Sequence, residues 1–327
     1  MRTTIFLLCI FIGVFSDPYS LFIPKGFPTP FIPQDNSLSH SRIELGKKLF
    51  FDKMMSRDSS LSCATCHQPQ LAFSDGKQKS VGIKGRLVSR NAPTLTNVAY
   101  QPYFLLDGLN PSLEAQVKVP IHEHNEFDFH ILLVAERMKN NKDYVSLSRQ
   151  AYGQEPSPKV ISDAIACYER TLISGNSAYD QYFYQGKKDA LNQSQKRGMK
   201  LFFDDLYCAS CHGGFNFSDS RLTNNGLYVN YKDQGRARLT KKKEDQAIFK
   251  VPTLRNIGFT APYMHDGSFV SLDQVIDHYS NGAKGHFNQD TIIKPFDLSQ
   301  NQKQDLIAFL YALNDSTFVK DNRLPGR

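Results

Sequence analysis

The chain has 327 residues, 40% of them hydrophobic and 22% charged, which is the balance of a globular protein rather than of a disordered or membrane-embedded one. That length exceeds the usual size of a single hydrophobic core and favours two domains. The net charge of +7 does not mark a nucleic-acid binder, because the one dense basic run, Lys241 to Lys243, is followed at once by Glu244 and Asp245 with no aromatic interleaving.

The first residues, MRTTIFLLCIFIGVFSDPYS, carry one positive charge, then an apolar run of about a dozen residues containing Cys9, then small or polar residues after Ser16. This is the pattern of a secretory signal over 1–16, too short for a comfortable membrane span, with an uncleaved anchor as the alternative. Either way the body of the protein is expected to be exported, to the periplasm. Residues 17–37 contain five prolines and read as an extended arm. In SHSRIELGKKLFFD, Ser41 and Glu44 form a capping-box pattern, and Leu45, Leu49 and Phe50 share one helical face. Further helices are expected at 129–151, at 158–174 with Pro158 in the first turn and Gly175 past the end, and at 189–203. The last strong one is 299–313, where Leu306, Ile307, Phe309, Leu310 and Leu313 form an apolar stripe. Cys167 falls among Ile161, Ile165, Tyr168 and Leu172 at helical spacing and reads as a small core side chain. Strand signals are sparse, so the expected fold is mainly α with long loops.

The chain repeats itself. KLFFD occurs at Lys48–Asp52 and again at Lys200–Asp204, each copy followed by Cys-x-x-Cys-His. PTLTN at Pro93–Asn97 returns as PTLRN at Pro252–Asn256, and the same offset of 159 residues carries Asp107-Gly108 onto Asp266-Gly267 and Ser112-Leu113 onto Ser271-Leu272. Two homologous domains, 38–185 and 186–327, explain this pattern.

In Cys-x-x-Cys-His two thiols add across the vinyl groups of a haem, and the adjacent imidazole is held where it can bind the iron. A redox dithiol would not need the histidine. A zinc site would have to recruit pairs separated by about 140 residues, unlike a compact ribbon. Cys63, Cys66 and His67 are therefore read as the attachment site of a first c-type haem, and Cys208, Cys211 and His212 as that of a second. The sixth iron position decides between electron transfer and chemistry. The second half offers Met264, His265, His278, Tyr279 and His286 for it. The 159-residue offset sets Leu105, Leu106, Val119 and Pro120 against the first four, and none of these binds iron. Haem 1 should have an open face. Near Pro120 lie Gln116, His122, His124 and Glu126, where a small oxygen ligand could be polarised and protonated; cleaving a peroxide requires a proton to pass from one oxygen to the other, and a carboxylate suits that task.

These residues, with the motifs LGKKLFFD, SCATCH, RNAPTLTN, LEAQ, CASCHGG and VPTLRNIGFTAPYMHDG, make the chain resemble the bacterial di-haem cytochrome c peroxidase family, which includes the MauG-type enzymes. The likeness spans nearly the whole chain. It implies two cytochrome c-like domains facing each other, haem 1 as the peroxide site and haem 2 as the electron relay. It also implies a calcium ion between them, held by Asn91 and the main chain of Thr260 and Pro262. Tyr279 falls where peroxidases that need reductive activation carry a methionine, and MauG-type enzymes have tyrosine there. Ile83 falls where those peroxidases place a histidine on haem 1, and Glu126 and Gln116 fall on the distal-pocket positions. The family's tryptophan between the haems falls on Leu106, and the arginine after it on Leu109. Without that tryptophan, electrons would tunnel directly or use Tyr100, Tyr103 or Phe104.

The function these readings favour is an exported di-haem peroxidase. Hydrogen peroxide is reduced at haem 1 with help from Glu126 and Gln116, and electrons arrive through haem 2 from a small cytochrome c or cupredoxin. A MauG-like oxidase acting on a protein or small molecule is the alternative enzyme, and a non-catalytic di-haem carrier or sensor the alternative of another class. A homodimer is common in such proteins.

Overall fold

The computed structural model describes residues 17–320, so the secretory signal read over 1–16 lies outside the described residues. The fold is mainly helical, as expected. In chain order the α-helices are α1 (His40–Phe51), α2 (Cys63–Cys66), α3 (Leu113–His122), α4 (Ile131–Lys139), α5 (Lys142–Tyr152), α6 (Pro158–Glu169), α7 (Ala178–Phe183), α8 (Gln193–Lys200), α9 (Ala237–Thr240), α10 (Leu272–Ser280), α11 (Gln300–Tyr311) and α12 (Ser316–Val319). A two-residue antiparallel pair, β1 (Leu222–Thr223) with β2 (Phe249–Lys250), sets Leu222 opposite Lys250. Among the described residues no helix is long and apolar enough to cross a membrane.

The elements differ from the sequence reading in instructive ways. The cap of α1 is Ser39, whose side chain accepts from the Arg42 N–H, whereas the expected cap, Ser41, is bonded through both N–H and hydroxyl to the Asp17 carboxylate. A carboxylate is the stronger acceptor, so it takes the group that a capping box would have used. The helix expected over 129–151 is two, because the Asn141 side chain accepts from the N–H groups of Asp143 and Tyr144 and starts a new helix there. The segment expected as 189–203 begins at Gln193, behind an Asn192 capping box, and passes into a π-turn over Leu201–Asp205. Helices α3 and α10, each capped by a serine, escaped the pattern reading. Pro120 disguises α3: it sits inside the helix, two residues before its end, where it removes one ladder N–H.

Two large apolar clusters form among the described residues. The first packs α1 against α4, α5 and α6, with Leu45, Leu49, Phe50, Ile161, Ile165 and Cys167 all buried. The second packs α8 against α10 and α11 through Phe202, Phe217, Ile276, Leu306 and Phe309. Closest approach in both rests on one glycine. A Cβ on Gly46 of α1 would overlap the Ala164 carbonyl of α6, and a Cβ on Gly198 of α8 would overlap the Asp305 carbonyl of α11. The arm does not hang free. Phe27 lies 4.8 Å from the Phe215 ring and beneath the Arg255 guanidinium, while the Asn36 amide donates to Glu114 at 2.7 Å and to the Asp163 carbonyl at 3.0 Å.

The 159-residue echo also recurs in three dimensions. Asn97 and Asn256 both adopt left-handed backbone, with φ of 57° and 61°, a region asparagine tolerates. Asn97 donates its N–H to Leu172 O at 2.8 Å and accepts from Ser174 N at 2.8 Å; Asn256 donates to Leu313 O at 3.1 Å and accepts from Asp315 N at 2.8 Å. Each asparagine thus fastens a haem-side loop to the chain leaving a helix that packs at one of the two glycine crossings.

Gly46→Ala and Gly198→Ala are each expected to cost about 1–3 kcal/mol, the usual range for overpacking a tight core, read as a fall in the thermal midpoint of the folded chain. Midpoints unchanged in both variants would mean that the helices spread apart freely, against the packing described.

Candidate active site

Each Cys-x-x-Cys-His segment is a single tight turn whose histidine is fixed from behind. In the first, the Ser62 N–H donates to Thr65 Oγ1 at 3.0 Å at the start of α2, and the chain leaves α2 at His67. Residues 68–74 then fold back on themselves, with Gln68 N donating to Ser74 O at 2.9 Å and Phe73 N to Gln68 O at 2.8 Å. Ala72 and Phe73 take positive φ to allow it. The result aims the Phe73 carbonyl at His67, whose Nδ1–H donates to it at 2.9 Å. In the second segment Tyr207 and Phe217 take positive φ, and His212 Nδ1–H donates to Phe217 O at 3.3 Å. A carbonyl only accepts, so both rings carry their proton on Nδ1 and present a bare Nε2. Burial lowers the pKa of both histidines, which holds them neutral.

The four thiols are unpaired and sit in surroundings that disfavour the thiolate. Burial pushes Cys66 and Cys208 up to about 11 and raises Cys63 and Cys211 as well. A redox dithiol or a zinc thiolate site needs the opposite, an electropositive setting that lowers the pKa. Neutral thiols, each pair beside a fixed, neutral imidazole that keeps part of its surface open, fit covalent attachment of a haem with iron bound at Nε2.

The two sites part company on the opposite face. At the second, Tyr279 lies one residue before the end of α10, its phenol within electrostatic reach of the Cys208 and Cys211 thiols and hydrogen-bonded to the Asn225 side chain; burial raises its pKa. The other ligands weighed from the sequence are engaged elsewhere. Met264 Sδ accepts from Asn225 Nδ2 at 3.3 Å, His278 Nε2 donates to Asn225 O at 2.9 Å, His265 stacks on Phe249 at 4.2 Å, and His286 Nδ1 accepts from Asn288 N at 3.1 Å. At the first, Ile83 is buried and donates its N–H to Glu126 O at 2.9 Å. Gly82 lies so close that a Cβ there would overlap the Asn125 carbonyl. The loop that the resemblance associates with a blocking histidine therefore lies directly on the segment carrying Glu126.

Glu126 is in the loop between α3 and α4, its N–H bonded to Glu123 O at 3.0 Å. Burial, with a smaller contribution from Glu123, pushes its carboxyl up to about 7, and its charge is felt at both Cys63 and Cys66. Gln116 lies on α3, where its Oε1 accepts from Asn110 Nδ2 at 3.1 Å. His122 and His124 do not join them. His122 accepts from Ile131 N at 3.2 Å and stacks on His130 at 4.7 Å, helping to cap α4, and His124 is exposed beside Asp128.

Sequence reasoning missed two buried charges. Glu169, on the apolar face of α6 four residues after Ile165, lies within electrostatic reach of Cys63 and is pushed up to about 8 by burial. A carboxylate on an apolar helical stripe was the available signal. Lys250, the residue 159 after Asn91, was the other. At the residues implied for calcium, Asn91 donates its amide to the carbonyls of Lys77, at 2.8 Å, and Gln78, which turns its Oδ1 the other way. The carbonyls of Thr260 and Pro262 accept no main-chain hydrogen bond among the described residues. Oxygen donors of this kind suit a hard cation.

Of the three aromatic routes between the halves, Phe104 packs with Val98, Leu113 and Ala166 inside the first half. Tyr100 lies 4.8 Å from Phe215, and the Tyr103 hydroxyl donates to Ser220 O, so these two reach the second half.

Known proteins resemble this chain in sequence and in fold. The family described as di-haem cytochrome c peroxidase matches residues 40–189. The methylamine utilization protein MauG of Methylorubrum extorquens is 37% identical over 285 residues, which are 86% of this chain and 80% of its own. The cytochrome-c peroxidase IdrP1 of Pseudomonas sp. (strain SCT) is 34% identical over 91% of this chain and 88% of its own. A solved MauG-like protein associated with microbial copper homeostasis is 30% identical, superimposes with a TM-score of 0.89, and covers 94% of this chain and 100% of its own. By sequence, by fold and by the paired motifs, the chain belongs to the di-haem cytochrome c peroxidase family.

Proposed function

We propose that the chain is an exported, periplasmic di-haem c-type peroxidase that reduces hydrogen peroxide to water at the site of Cys63, Cys66 and His67. Electrons enter from a small cytochrome c or cupredoxin through the site of Cys208, Cys211, His212 and Tyr279. The observation that carries this reading is the asymmetry. A buried phenol, Tyr279, lies within electrostatic reach of the Cys208 and Cys211 thiols, while a desolvated carboxyl, Glu126, lies within reach of the Cys63 and Cys66 thiols. The two domains are read as 38–185 and 186–327, products of a duplication, with calcium at Asn91, Thr260 and Pro262 between them; pairing of two chains is part of the same reading.

Bound haem supplies the iron that takes up peroxide and accepts electrons. The chain supplies the rest. His67 and His212 each offer Nε2 because their Nδ1–H is bonded to a carbonyl. Glu126, poised near neutrality, takes a proton from the inner peroxide oxygen and gives it to the outer one, which leaves as water. Gln116, half-buried on α3, orients the oxygens as a neutral donor. Ile83 and Gly82 cover the Glu126 loop and keep water away. A second reading, a MauG-like oxidase of a protein or small molecule, is favoured by Tyr279, since a phenol ligand stabilises the ferric state. The absence of tryptophan anywhere in the chain counts against it.

Glu126→Gln is expected to lower peroxide turnover by about 10²–10⁴-fold, the usual worth of a proton shuttle, with both haem spectra retained. Because the carboxylate form must accept the proton, parental turnover should rise as pH climbs through about 7, and the variant should lose that limb. Equal turnover in the two proteins would remove Glu126 from the mechanism. Tyr279→Met should raise the reduction potential of one haem and alter its ferric EPR signal while leaving the other signal unchanged, because a thioether stabilises the ferric state less than a phenolate does. Two unaltered signals would show that Tyr279 is not a ligand.

A further inference from the structure

Four residues of the second half stand 159 positions after four of the first: Asn91 with Lys250, Gln101 with Thr260, Tyr103 with Pro262, and Leu106 with His265. The main chain repeats its connections at these positions. Asn91 N–H donates across to His265 O at 2.9 Å, and Lys250 N–H donates across to Leu106 O at 2.6 Å. The turns that receive these bonds match as well. Leu105 and Met264 have φ of 64° and 75°, Gly108 and Gly267 have φ of 69° and 67°, and each glycine N–H bonds back three residues at 3.2 Å. Isolated bridges Phe104–Asn110 and Tyr263–Phe269 close both turns. The seam between the halves is thus built twice, with the donor and acceptor halves exchanged.

The two copies differ in what occupies them. In one, the proposed calcium ligands are the Asn91 side chain and the carbonyls of Thr260 and Pro262, all neutral oxygens. In the other, the position of Asn91 is Lys250, and its ammonium donates to the Gln101 side chain and, at 3.2 Å, to the Tyr103 carbonyl. Gln101 and Tyr103 are the counterparts of Thr260 and Pro262. No carboxylate pairs with Lys250 among the described residues, and burial alone pushes its pKa down to about 8. A buried ammonium held by neutral oxygens costs desolvation that no ion pair recovers, and such a ligand set is the one that a hard metal cation uses.

We infer that the seam holds a duplicated cation site, in which calcium fills the copy made by Asn91, Thr260 and Pro262 while the Lys250 ammonium fills the other. This rests on the proposal of calcium at Asn91, Thr260 and Pro262. The consequence is a positive charge at the Tyr103 carbonyl, in the seam between the halves, present below about pH 8 whether or not calcium is bound. Positive charge there favours the arrival of an electron.

The test uses the holoenzyme and calcium itself. Lys250→Asn rebuilds the second copy in the image of the first, so calcium titration by calorimetry after chelation should find one more ion per chain than in the parent, and Lys250→Met should find no increase. Potentiometric titration followed in the haem absorbance should show a lower potential for at least one haem in Lys250→Met, an unchanged one in Lys250→Arg, and in Lys250→Asn a fall that added calcium reverses. Equal calcium stoichiometry in Lys250→Asn and a calcium-binding parent would overturn the inference and leave the calcium reading intact. Haem potentials unmoved in Lys250→Met would overturn it as well. A parent that binds no calcium, with or without Asn91→Ala, instead overturns the calcium reading, and the duplicated site falls with it.

Discussion

The bond from each buried imidazole to a main-chain carbonyl is the constraint on which the rest of the molecule depends. It settles the tautomer of His67 and His212, and with it the one nitrogen left to bind a metal. It also dictates local backbone. A carbonyl five or six residues downstream of a histidine turns back onto the ring only if the intervening chain reverses tightly, and Ala72, Phe73 and Phe217 take left-handed conformations to do it. Residues with a Cβ tolerate that region poorly, so the strain must be offset by packing. Phe73 and Phe217 are both fully buried, in the first and second apolar clusters respectively. The cores therefore do more than hold helices together: they keep two carbonyls aimed at two rings.

On this shared frame the chemistry diverges downstream of the matching serine caps. After Ser271, α10 carries Tyr279 one residue before its end and delivers a phenol to the second site. After Ser112, α3 reaches Pro120 and ends at His122, and the chain then folds under the 81–87 loop. That fold carries Glu126, whose charge is felt at Cys63 and Cys66. The carboxyl is held near neutrality by burial, the usual device for making an acid and base of one group. The two halves thus differ here in a carboxyl-bearing loop on one side and a phenol-bearing helix end on the other.

Much of this was legible in the sequence, and the reasons are physical. Haem attachment demands a fixed Cys-x-x-Cys-His spacing, so Cys63, Cys66 and His67 carry their own meaning in the sequence. Long helices with wide apolar stripes, such as α6 and α11, declare themselves by period. The offset of 159 set Leu105, Leu106, Val119 and Pro120, none of them a metal ligand, against Met264, His265, His278 and Tyr279. The features that escaped depend on competition between side chains. Ser41 lost its capping role to Asp17, Asn141 broke a helix whose apolar pattern runs on through it, and Pro120 hid α3. His122 and His124 looked like pocket residues from their position near Glu126, but a backbone N–H and Asp128 claim them. Lys250 was invisible because composition does not report burial, and Glu169 showed itself only as a carboxylate on an apolar helical stripe.

The replacement of the family's tryptophan by Leu106 need not isolate the two sites, since the seam supplies other contacts at the same place. The Leu106 carbonyl is bonded to Lys250 N, the Tyr103 hydroxyl to Ser220 O, and Asp219 N to Cys211 O, so two residues separate the first half's phenol from the second haem-attachment turn. Tyr100 approaches the same turn from the side, against Phe215, whose carbonyl is held by the Arg255 guanidinium; that guanidinium is in turn paired with Asp180 through two bonds of 2.9 Å, both side chains fully buried. A buried pair of this kind adds little net stability but is costly to break, about 3–5 kcal/mol when one partner is removed. Its effect here is positional: it locks the loop that faces Tyr100, so the separation of the two halves at their crossing is set by a rigid ion pair and by hydrogen bonds rather than by the bulk of an indole.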